Sequence, residues 1–441
     1  MIAVAIVVII ASIVLMVKRV DVRLVLLGAG LILASLNGNP LAFTDKFTQA
    51  MVSPMVAPIC ASMGFAAVLK ATGCDRELVQ LLMVPLRRAR WAVLSGGIGA
   101  AYLVNLAVPS QSSTAAMLGP ILIPIVVALG SSREVGGAAL VLGASFGGDL
   151  LNPGCQDVQA LAGVTGLKAA SLSRIVIPSS LLGMLVAAFV FAFWNRAGRR
   201  DEPRTGQDVM VAGVTGEEDS RGPDVLKAIV PLVPVALLLL AHMGWRPLAW
   251  LLRVPEAEAW RPLAGALPVV RAMLIGVLVA GLIGWRGLPR LTRSLFDGMG
   301  TAYANVISLT IAAQCFGAGI AASGLGDALL HQVGGSRVGL AALSLGFPWG
   351  LAALSGSGSG PVLAFAQVCL VPLGDGPGFQ TTAGVLSCLA AACGRTMSPV
   401  SAVVVCGAGL AGVSPLEIIR RLFPALILGT VVSVSTALLV R

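Results

Sequence analysis

The sequence predicts an all-α polytopic membrane protein, because its composition is strongly apolar and its apolar residues form long runs. Of the 441 residues, 57% are hydrophobic and only 11% are charged, and the mean hydropathy is +0.92; such values are typical of helical membrane proteins. Most of the net charge of +10 lies in short segments between apolar runs, where basic residues set the orientation of spans. Aromatic residues make up only 5% of the chain, which argues against a base-stacking surface for nucleic acid.

A first unit, residues 1–194, is predicted to contain a re-entrant hairpin and a broken span. The hairpin is predicted over 92–130, because polar residues at 110–114 split an apolar region into halves of about 18 residues, barely enough to cross a bilayer. The broken span is predicted over 136–163, where glycines, polar residues and a proline at 147–154 interrupt it. The other predicted segments are spans at about 2–17, 24–36, 51–72 and 175–194, a polar loop through Asn37 and Asp45, and an amphipathic interfacial helix over 77–91.

The same plan returns in a second unit, residues 225–441, after a charged linker with proline and glycine at 195–224. A second hairpin is predicted over 338–373, with serine and glycine alternating at its tip. A second broken span is predicted over 383–411. The other spans of this unit are predicted near 228–243, 267–285, 301–323 and 422–440.

This recurrence indicates an internal duplication. Pro153 and Pro399 at the two breaks are 246 residues apart, and so are Gln111 and Ser357 at the two hairpin tips. If the basic clusters lie in the cytoplasm, the two units cross the membrane in opposite directions. The prediction is therefore an inverted repeat of ten full spans and two hairpins, with both termini outside, a cytoplasmic linker and a substrate site near the midplane.

The second broken span carries a positive charge at its break. Arg395 lies near the middle of an apolar stretch, where a charged side chain costs roughly 2.5–3.5 kcal/mol, and Pro399 cannot continue a helix. We interpret this arrangement as an anion site; the alternative is a proline kink whose arginine is paired for structure. The equivalent residue in the first unit is Asp149. We hypothesise that Arg395 holds a substrate carboxylate and that Asp149, within reach of it, serves a coupling cation.

Two motifs resemble a known family. The run GRTMSPVSAVVVCGAGLAGV at 394–413, together with GASFGGDLLNPG at 143–154, resembles the C-type anaerobic C4-dicarboxylate transporter family (DcuC) of the ion transporter superfamily. The resemblance implies a homodimer in the bacterial inner membrane, with a scaffold domain and a mobile transport domain that moves like an elevator. It also implies succinate, fumarate or malate as substrate, and no cofactor apart from coupling Na⁺ or H⁺.

The site implied by this resemblance comprises the two hairpin tips and the two breaks, where helix N-termini present unsatisfied N–H groups to a carboxylate. A coupling cation is predicted near Asp149 and Asn152. The tips depart from the Ser-Asn-Thr tips of sodium-coupled relatives, which leaves the coupling ion open between Na⁺ and H⁺. The predicted substrate-binding residues are Ser110, Gln111, Ser112, Ser113, Thr114, Asn152, Ser355, Gly356, Ser357, Gly358, Ser359, Gly360, Arg395, Thr396 and Ser398.

Three other functions stay open. A transporter of the same fold for another carboxylate or an amino acid is the nearest alternative. Glycine-rich re-entrant loops also build channel filters, although opposite charges in a duplicated site favour a carrier. The serines of the second tip loosely resemble the nucleophile of a serine hydrolase, which needs a base; the two histidines, His242 and His331, lie near predicted span ends. The eight cysteines form no CxxC pair and predict neither a disulfide nor a metal site.

Overall fold

All regular elements that the structure describes are helices, and none is a strand, as the composition predicts. Most of the linker predicted over 195–224 lies outside the described residues, so its boundaries stay a prediction. The computed structural model describes residues 2–18, 20–54, 56–88, 93–108, 110–167, 169–196, 223–242, 252, 266–283, 288–323, 337–371 and 377–440.

The first half follows the predicted order of hairpin, broken helix and closing helix. Hairpin one consists of Val93–Ala107 and Gln111–Ala128. Broken helix one consists of Arg133–Ser145, a 3-10 turn at Asp149–Leu151, and Gln156–Thr165. The other helices are Ile2–Val17, Val22–Leu36, Leu41–Met51, Val56–Thr72, Cys74–Arg88 and the closing helix Ala169–Arg196.

The second half has the same order. Hairpin two consists of Arg337–Ser355 and Ser359–Phe365, the latter continued by a π-helical turn, Ala366–Leu370. Broken helix two consists of Pro377–Thr396 and Ala402–Ala411. The other elements are Val225–Ile229, a 3-10 turn Val230–Leu232, Val233–His242, Leu267–Ile283, Leu288–Ala302, a π-helical turn Tyr303–Ile307, Ser308–Ala322 and the closing helix Pro415–Leu439.

Two segments that the sequence interpretation left outside spans are helical. The predicted polar loop contains helix Leu41–Met51, in which the rings of Phe43 and Phe47 lie 6.5 Å apart and pack against the core. The basic segment before the predicted span at 301–323 forms helix Leu288–Ala302, which runs on through the π-helical turn. In both segments polar and charged residues interrupt the apolar ones, so neither forms an apolar run long enough to predict a span.

The chain is a multi-pass membrane protein. Among the described residues, six helices are long and apolar enough to cross a membrane, or seven if Leu41–Met51 and Val56–Thr72 form one span. Two of the six, Gln111–Ala128 and Val338–Ser355, are arms of the predicted hairpins and do not belong to the ten predicted full spans. The count of ten is not reached by this criterion, in part because some apolar helices are short: Val22–Leu36 has 15 residues and Leu267–Ile283 has 17. A perpendicular span needs about 20 residues, so the count of ten stays a prediction.

The interior of the fold places the first break away from lipid. Helix Arg133–Ser145 packs against the closing helix Pro415–Leu439 and is buried from Val135 to Ser145. The chain leaves helical geometry directly after this buried stretch. Irregular backbone at such a depth is tolerated where protein surrounds it, and this is the environment of the first break.

Candidate functional site

Side chains of hairpin one organise the first break. Asn105 accepts the backbone N–H of Asp149 through Oδ1 at 2.9 Å. A Cβ atom on Gly148 would lie only 2.5 Å from the carbonyl oxygen of Tyr102. The backbone of the break therefore lies directly against the first arm of hairpin one, and this close approach requires a glycine.

Broken helix two reaches the same place from the other half. The hydroxyl of Thr396 lies 2.8 Å from Ser145 Oγ and 3.2 Å from the Ser145 carbonyl oxygen. A Cβ atom on Gly394 would overlap the carbonyl oxygen of Trp349 on hairpin two. The end of Pro377–Thr396 is thus packed between hairpin two and the end of Arg133–Ser145, so the two breaks adjoin.

Three buried charged side chains meet between the breaks, and we call them the triad: Arg395, Asp149 and Asp157. Arg395 Nη2 lies 3.9 Å from Asp149 Oδ2, and Arg395 Nη1 lies 3.8 Å from Asp157 Oδ2. Their side chains are only 7%, 3% and 5% exposed. Both separations exceed the usual hydrogen-bond range of about 2.7–3.2 Å. Nη2 also donates to the Ser145 carbonyl oxygen at 3.4 Å, so the guanidinium faces both carboxylates and bonds closely to neither.

Each hairpin tip contacts one carboxylate of the triad. Gln111, which begins the second arm of hairpin one, donates from Nε2 to Asp149 Oδ2. Ser359, which begins the second arm of hairpin two, donates from Oγ to Asp157 Oδ1. A Cβ atom on Gly358 would lie 2.6 Å from Arg395 Nη1 and 3.1 Å from Asp157 Oδ2. The backbone of Gly358, which has no side chain, therefore packs directly against Arg395 and Asp157.

The triad carries a surplus negative charge when both of its carboxylates are ionised. Within the described part of the chain, Asp75 is the one further charged side chain that is similarly buried, and it lies on the separate helix Cys74–Arg88. Arg395 Nε, Asp149 Oδ1 and Ser398 Oγ are buried and have no hydrogen-bond partner. Such atoms are costly to leave unpaired. Two of them belong to the triad, so the triad has hydrogen-bonding capacity that the described residues leave unused.

The remaining predicted residues of hairpin two do not contact the triad. Ser355, Ser357 and Gly360 line a largely apolar cavity beside the tip. Gly356 has a φ of +70°, and a Cβ atom on it would lie 2.9 Å from the Ser401 backbone, so this position needs a glycine for both reasons. Other residues that line the cavity are Ile9, Leu26, Phe316, Phe347 and Leu351.

The remaining predicted residues of hairpin one shape its tip. Ser110 is the N-cap of Gln111–Ala128, and its Oγ accepts the backbone N–H of Ser113 at 3.4 Å. The carbonyl oxygen of Ser112 accepts the Cys406 thiol at 3.9 Å. Thr114 is fully buried and its hydroxyl has no partner. Among these residues and Gln111, only Gln111 has a contact with the triad in the described structure.

Asn152, which was predicted for both the substrate and the cation, is bound to backbone on both sides. Its Nδ2 donates to the Leu106 carbonyl oxygen at 3.2 Å, and its Oδ1 accepts the N–H of Gly154 at 2.9 Å. The amide thus stabilises the turn after Asp149. One lone pair of Oδ1 is left for a cation.

Sequence reasoning missed Asp157. The 246-residue offset pairs Asp157 with Val403, which is uncharged, so comparison of the two halves does not single out Asp157. The available signal is a second acidic residue in an apolar stretch, in the first turn of Gln156–Thr165, where the helix dipole favours a carboxylate. The structure also brings Cys155 to this place: one ligand atom from each of Asp149, Cys155 and Asp157 lies within 4.8 Å of the others.

Comparison with known proteins identifies the family. The model of the family described as C4-dicarboxylate anaerobic carrier, DcuC, matches residues 41–441. The chain belongs to the DcuC family. The Anaerobic C4-dicarboxylate transporter DcuC of Escherichia coli K12 is 27% identical over 401 residues, which cover 88% of this chain and 80% of that protein. The Probable anaerobic C4-dicarboxylate transporter DcuC of Vibrio cholerae is 28% identical over 392 residues, which cover 86% and 80%.

Solved structures share the fold of this DcuC-family chain at lower identity. MtrF of Neisseria gonorrhoeae, described as illuminating a class of antimetabolite efflux pumps, matches with a TM-score of 0.57 and 16% identity, over 89% of this chain and 82% of that one. The Alcanivorax borkumensis YdaH transporter, which has an unusual topology, matches with a TM-score of 0.57 and 17% identity, over 90% and 86%. Both similarities concern the helical fold, which this chain shares with transporters.

Proposed function

We propose that this chain is a secondary active transporter of C4-dicarboxylates such as succinate, fumarate or malate, in the bacterial inner membrane. The family match and the names of the relatives support this substrate class. The observation that carries the proposal is Arg395: a guanidinium buried at a helix break, covered by a hairpin tip, with Nε unpartnered and both terminal nitrogens only loosely paired.

Arg395 would bind one substrate carboxylate. The planar guanidinium presents two parallel N–H donors that fit a carboxylate. Nη1 and Nη2 face Asp157 and Asp149 at distances too long for good hydrogen bonds, so a substrate carboxylate would compete with these side chains for the same donors. The second carboxylate of the substrate is proposed to meet the tip of hairpin two at Gly358 and Ser359, the two tip residues that lie against the triad.

The charges of the triad favour cation coupling, by symport or exchange. One arginine and two aspartates already leave one negative charge in excess, and a dianion would add two more. Burying so many like charges is unfavourable unless cations or protons enter with the substrate. Asp149, whose Oδ1 is unpartnered, is proposed to ligate Na⁺ or carry H⁺ together with Asn152.

The architecture proposed for this transport is an inverted repeat whose hairpins and broken helices move as one transport domain, in an elevator-like manner and within a homodimer. The equal order of elements in the two halves supports the repeat. The contacts of Gln111 and Ser359 with the triad support a shared site between the halves. Binding near the midplane, between repeats, is common in secondary transporters.

A transporter for another carboxylate or an amino acid is the second candidate, since Arg395 would bind any carboxylate. A serine hydrolase fits the geometry of the second tip less well, and a channel fits the opposite charges of the triad less well than a carrier does. The Ser359 hydroxyl is bonded to Asp157, a carboxylate that also faces Arg395, and a hydrolase would need a base free to take the serine proton. His331 lies outside the described residues.

The test is uptake of labelled succinate into proteoliposomes, with Na⁺ and H⁺ gradients imposed separately. We expect saturable uptake that one of the two gradients drives, and acceleration by unlabelled succinate on the opposite side. Unsaturable flux without such exchange would indicate a channel, and absence of succinate uptake alongside uptake of another carboxylate would change the substrate assignment.

A further inference from the structure

We propose that Asp157 makes the closure of hairpin two depend on a bound cation, Na⁺ or H⁺. The inference rests on the proposed cation coupling and extends it to a residue that the duplication does not single out. It assigns Asp157 a different task from Asp149: Asp149 contacts hairpin one, whereas Asp157 contacts hairpin two.

The first step concerns the position of Asp157 in the closed site. Its Oδ1 accepts the hydroxyl of Ser359, and its Oδ2 faces Arg395 Nη1 at 3.8 Å. Only 5% of its side chain is exposed. Ser359 belongs to the tip of hairpin two. The tip that covers Asp157 is therefore the same segment that would have to move to admit a substrate.

The second step concerns the fit of that cover. Gly358 leaves no room for a side chain between the hairpin backbone and the pair formed by Arg395 and Asp157, since a Cβ atom would lie 2.6 Å from Arg395 Nη1 and 3.1 Å from Asp157 Oδ2. Movement of the tip away from the triad would therefore expose Asp157 to water. In the closed position the carboxylate depends on the partners that the protein supplies.

The third step is the balance of charge. The charged side chains that face Asp157 are Arg395 and Asp149, and the nearby thiols are Cys155 and Cys388. One guanidinium cannot neutralise two carboxylates, and a buried charge without compensation is strongly unfavourable. Closing hairpin two over an ionised triad is therefore opposed, whereas the open state leaves Asp157 hydrated. A cation that neutralises the surplus charge binds better to the closed state and shifts the population toward it.

This arrangement would serve transport directly. A hairpin that closes only over a neutralised triad prevents the loaded substrate site from moving across the membrane without its cation. Coupling would then reside in the gate as well as in the binding of the substrate.

The experiment measures the closure of hairpin two without any substrate. The reporter is Gly360→Cys, because Gly360 is buried at the tip and a Cβ atom there has no neighbour closer than 3.6 Å. The background carries Cys406→Ala, since Cys406 is half-buried while the other seven cysteines are buried. The rate of modification by a methanethiosulfonate reagent is measured in purified protein, across Na⁺ concentrations with choline as replacement, and across pH without Na⁺. Each rate is divided by that of a free small thiol at the same pH, because only the thiolate reacts and its fraction falls as the pH falls. The same protein without Gly360→Cys corrects for native thiols.

With Asp157 intact, we expect modification to slow by roughly tenfold as the coupling cation, Na⁺ or H⁺, is raised; this ratio corresponds to about 1.4 kcal/mol. Asp157→Asn keeps an acceptor for Ser359 but removes the surplus charge, so modification should be slow at every cation concentration. Asp157→Glu keeps the charge and should restore the dependence. A cation dependence in Asp157→Asn equal to that with Asp157 intact would overturn the proposal, as would modification that responds to neither Na⁺ nor pH when Asp157 is intact.

Ser359→Ala provides an independent check if Asp157→Asn does not fold. It keeps the charge of Asp157 but removes a stabilising donor, so closure should need a roughly tenfold higher cation concentration. An unchanged half-saturating concentration would contradict the proposal. Because none of these measurements uses succinate, failure of the proposed substrate in proteoliposomes and failure of this inference are separate outcomes.

Discussion

At the residue scale, the chemistry of the site depends on how incompletely Arg395 is paired. Its terminal nitrogens lie 3.9 and 3.8 Å from two carboxylates, and its Nε has no partner. A purely structural ion pair would gain most from short, direct hydrogen bonds, because these offset the desolvation of the charges. The observed geometry is looser than that, which fits the ligand-binding role proposed for Arg395.

Arg395→Gln is expected to abolish substrate binding and to destabilise the protein by about 3–5 kcal/mol, because it leaves two buried carboxylates without their cation. Arg395→Lys should keep little binding, because the two parallel N–H donors of the guanidinium are lost.

Asp149→Asn should still exchange succinate but lose its response to an imposed cation gradient, because Asp149 is the residue proposed to bind the cation. Proteoliposome uptake and thermal unfolding with and without succinate measure these effects.

The double variant Arg395→Gln with Asp149→Asn separates a ligand site from a structural pair. Stability is expected to recover in part, since opposite charges are removed together, while gradient-driven uptake stays absent. Full recovery of gradient-driven uptake in the double variant would show that the pair serves the structure alone.

Gly358→Ala tests the close cover over the triad. Its φ of −89° suits alanine, so the effect comes from contact: the new methyl group would lie 2.6 Å from Arg395 Nη1. Either the Arg395 guanidinium or hairpin two must shift to admit this methyl group, and both shifts disturb the proposed binding geometry. We expect succinate uptake to fall at least about tenfold, which corresponds to 1.4 kcal/mol. Gly350→Ala, on the first arm with no neighbour within 4 Å, is the matched control. Equal uptake by the two variants would contradict the assigned geometry.

At the element scale, the two closing helices hold the halves together through small residues. A Cβ atom on Gly183 would overlap Ser433 Oγ and lie 2.6 Å from the Gly429 carbonyl oxygen. A Cβ atom on Gly429 would in turn lie 2.7 Å from Ala187 Cβ. Such close backbone approach is a common way of packing helices in lipid, where apolar side chains gain little from burial.

Gly183→Ala is therefore expected to destabilise the protein by about 1–3 kcal/mol, the range for overpacked interiors, because the Gly429 backbone cannot move aside as a side chain can. Gly409→Ala is the control: no atom lies within 4 Å of its Cβ position, and the change should be neutral or stabilising by up to about 1 kcal/mol. Thermal unfolding in detergent measures both. Equal midpoints would exclude a tight crossing at Gly183.

At the scale of the whole molecule, the direction in which the two halves cross the membrane decides whether they are inverted. The distribution of basic clusters predicts that the linker at 195–224 lies in the cytoplasm. Asp208→Cys, in a background with the native cysteines replaced, should resist an impermeant thiol reagent in intact cells and react after the membrane is opened. Reaction in intact cells would reverse the orientation of the whole protein.

The sequence by itself determined the membrane class, the all-helical fold, and the helix breaks beside which Asp149 and Arg395 carry opposite charges. These features follow from local physics: apolar runs, residues that cannot continue a helix, and the cost of charge in lipid. Helix Leu41–Met51 escaped detection because polar residues between Thr44 and Gln49 interrupt its apolar ones, so it forms no apolar run.

Only the tertiary structure decided which polar residues meet. Ser357 and Ser359 are two positions apart in one tip, yet Ser359 contacts Asp157 while Ser357 lines an apolar cavity. Asp157 has no charged counterpart at the 246-residue offset. It joins the triad because Gln156–Thr165, the second segment of broken helix one, begins beside the end of Pro377–Thr396, the first segment of broken helix two. Such proximity results from how distant segments pack, which neither local propensity nor residue spacing encodes.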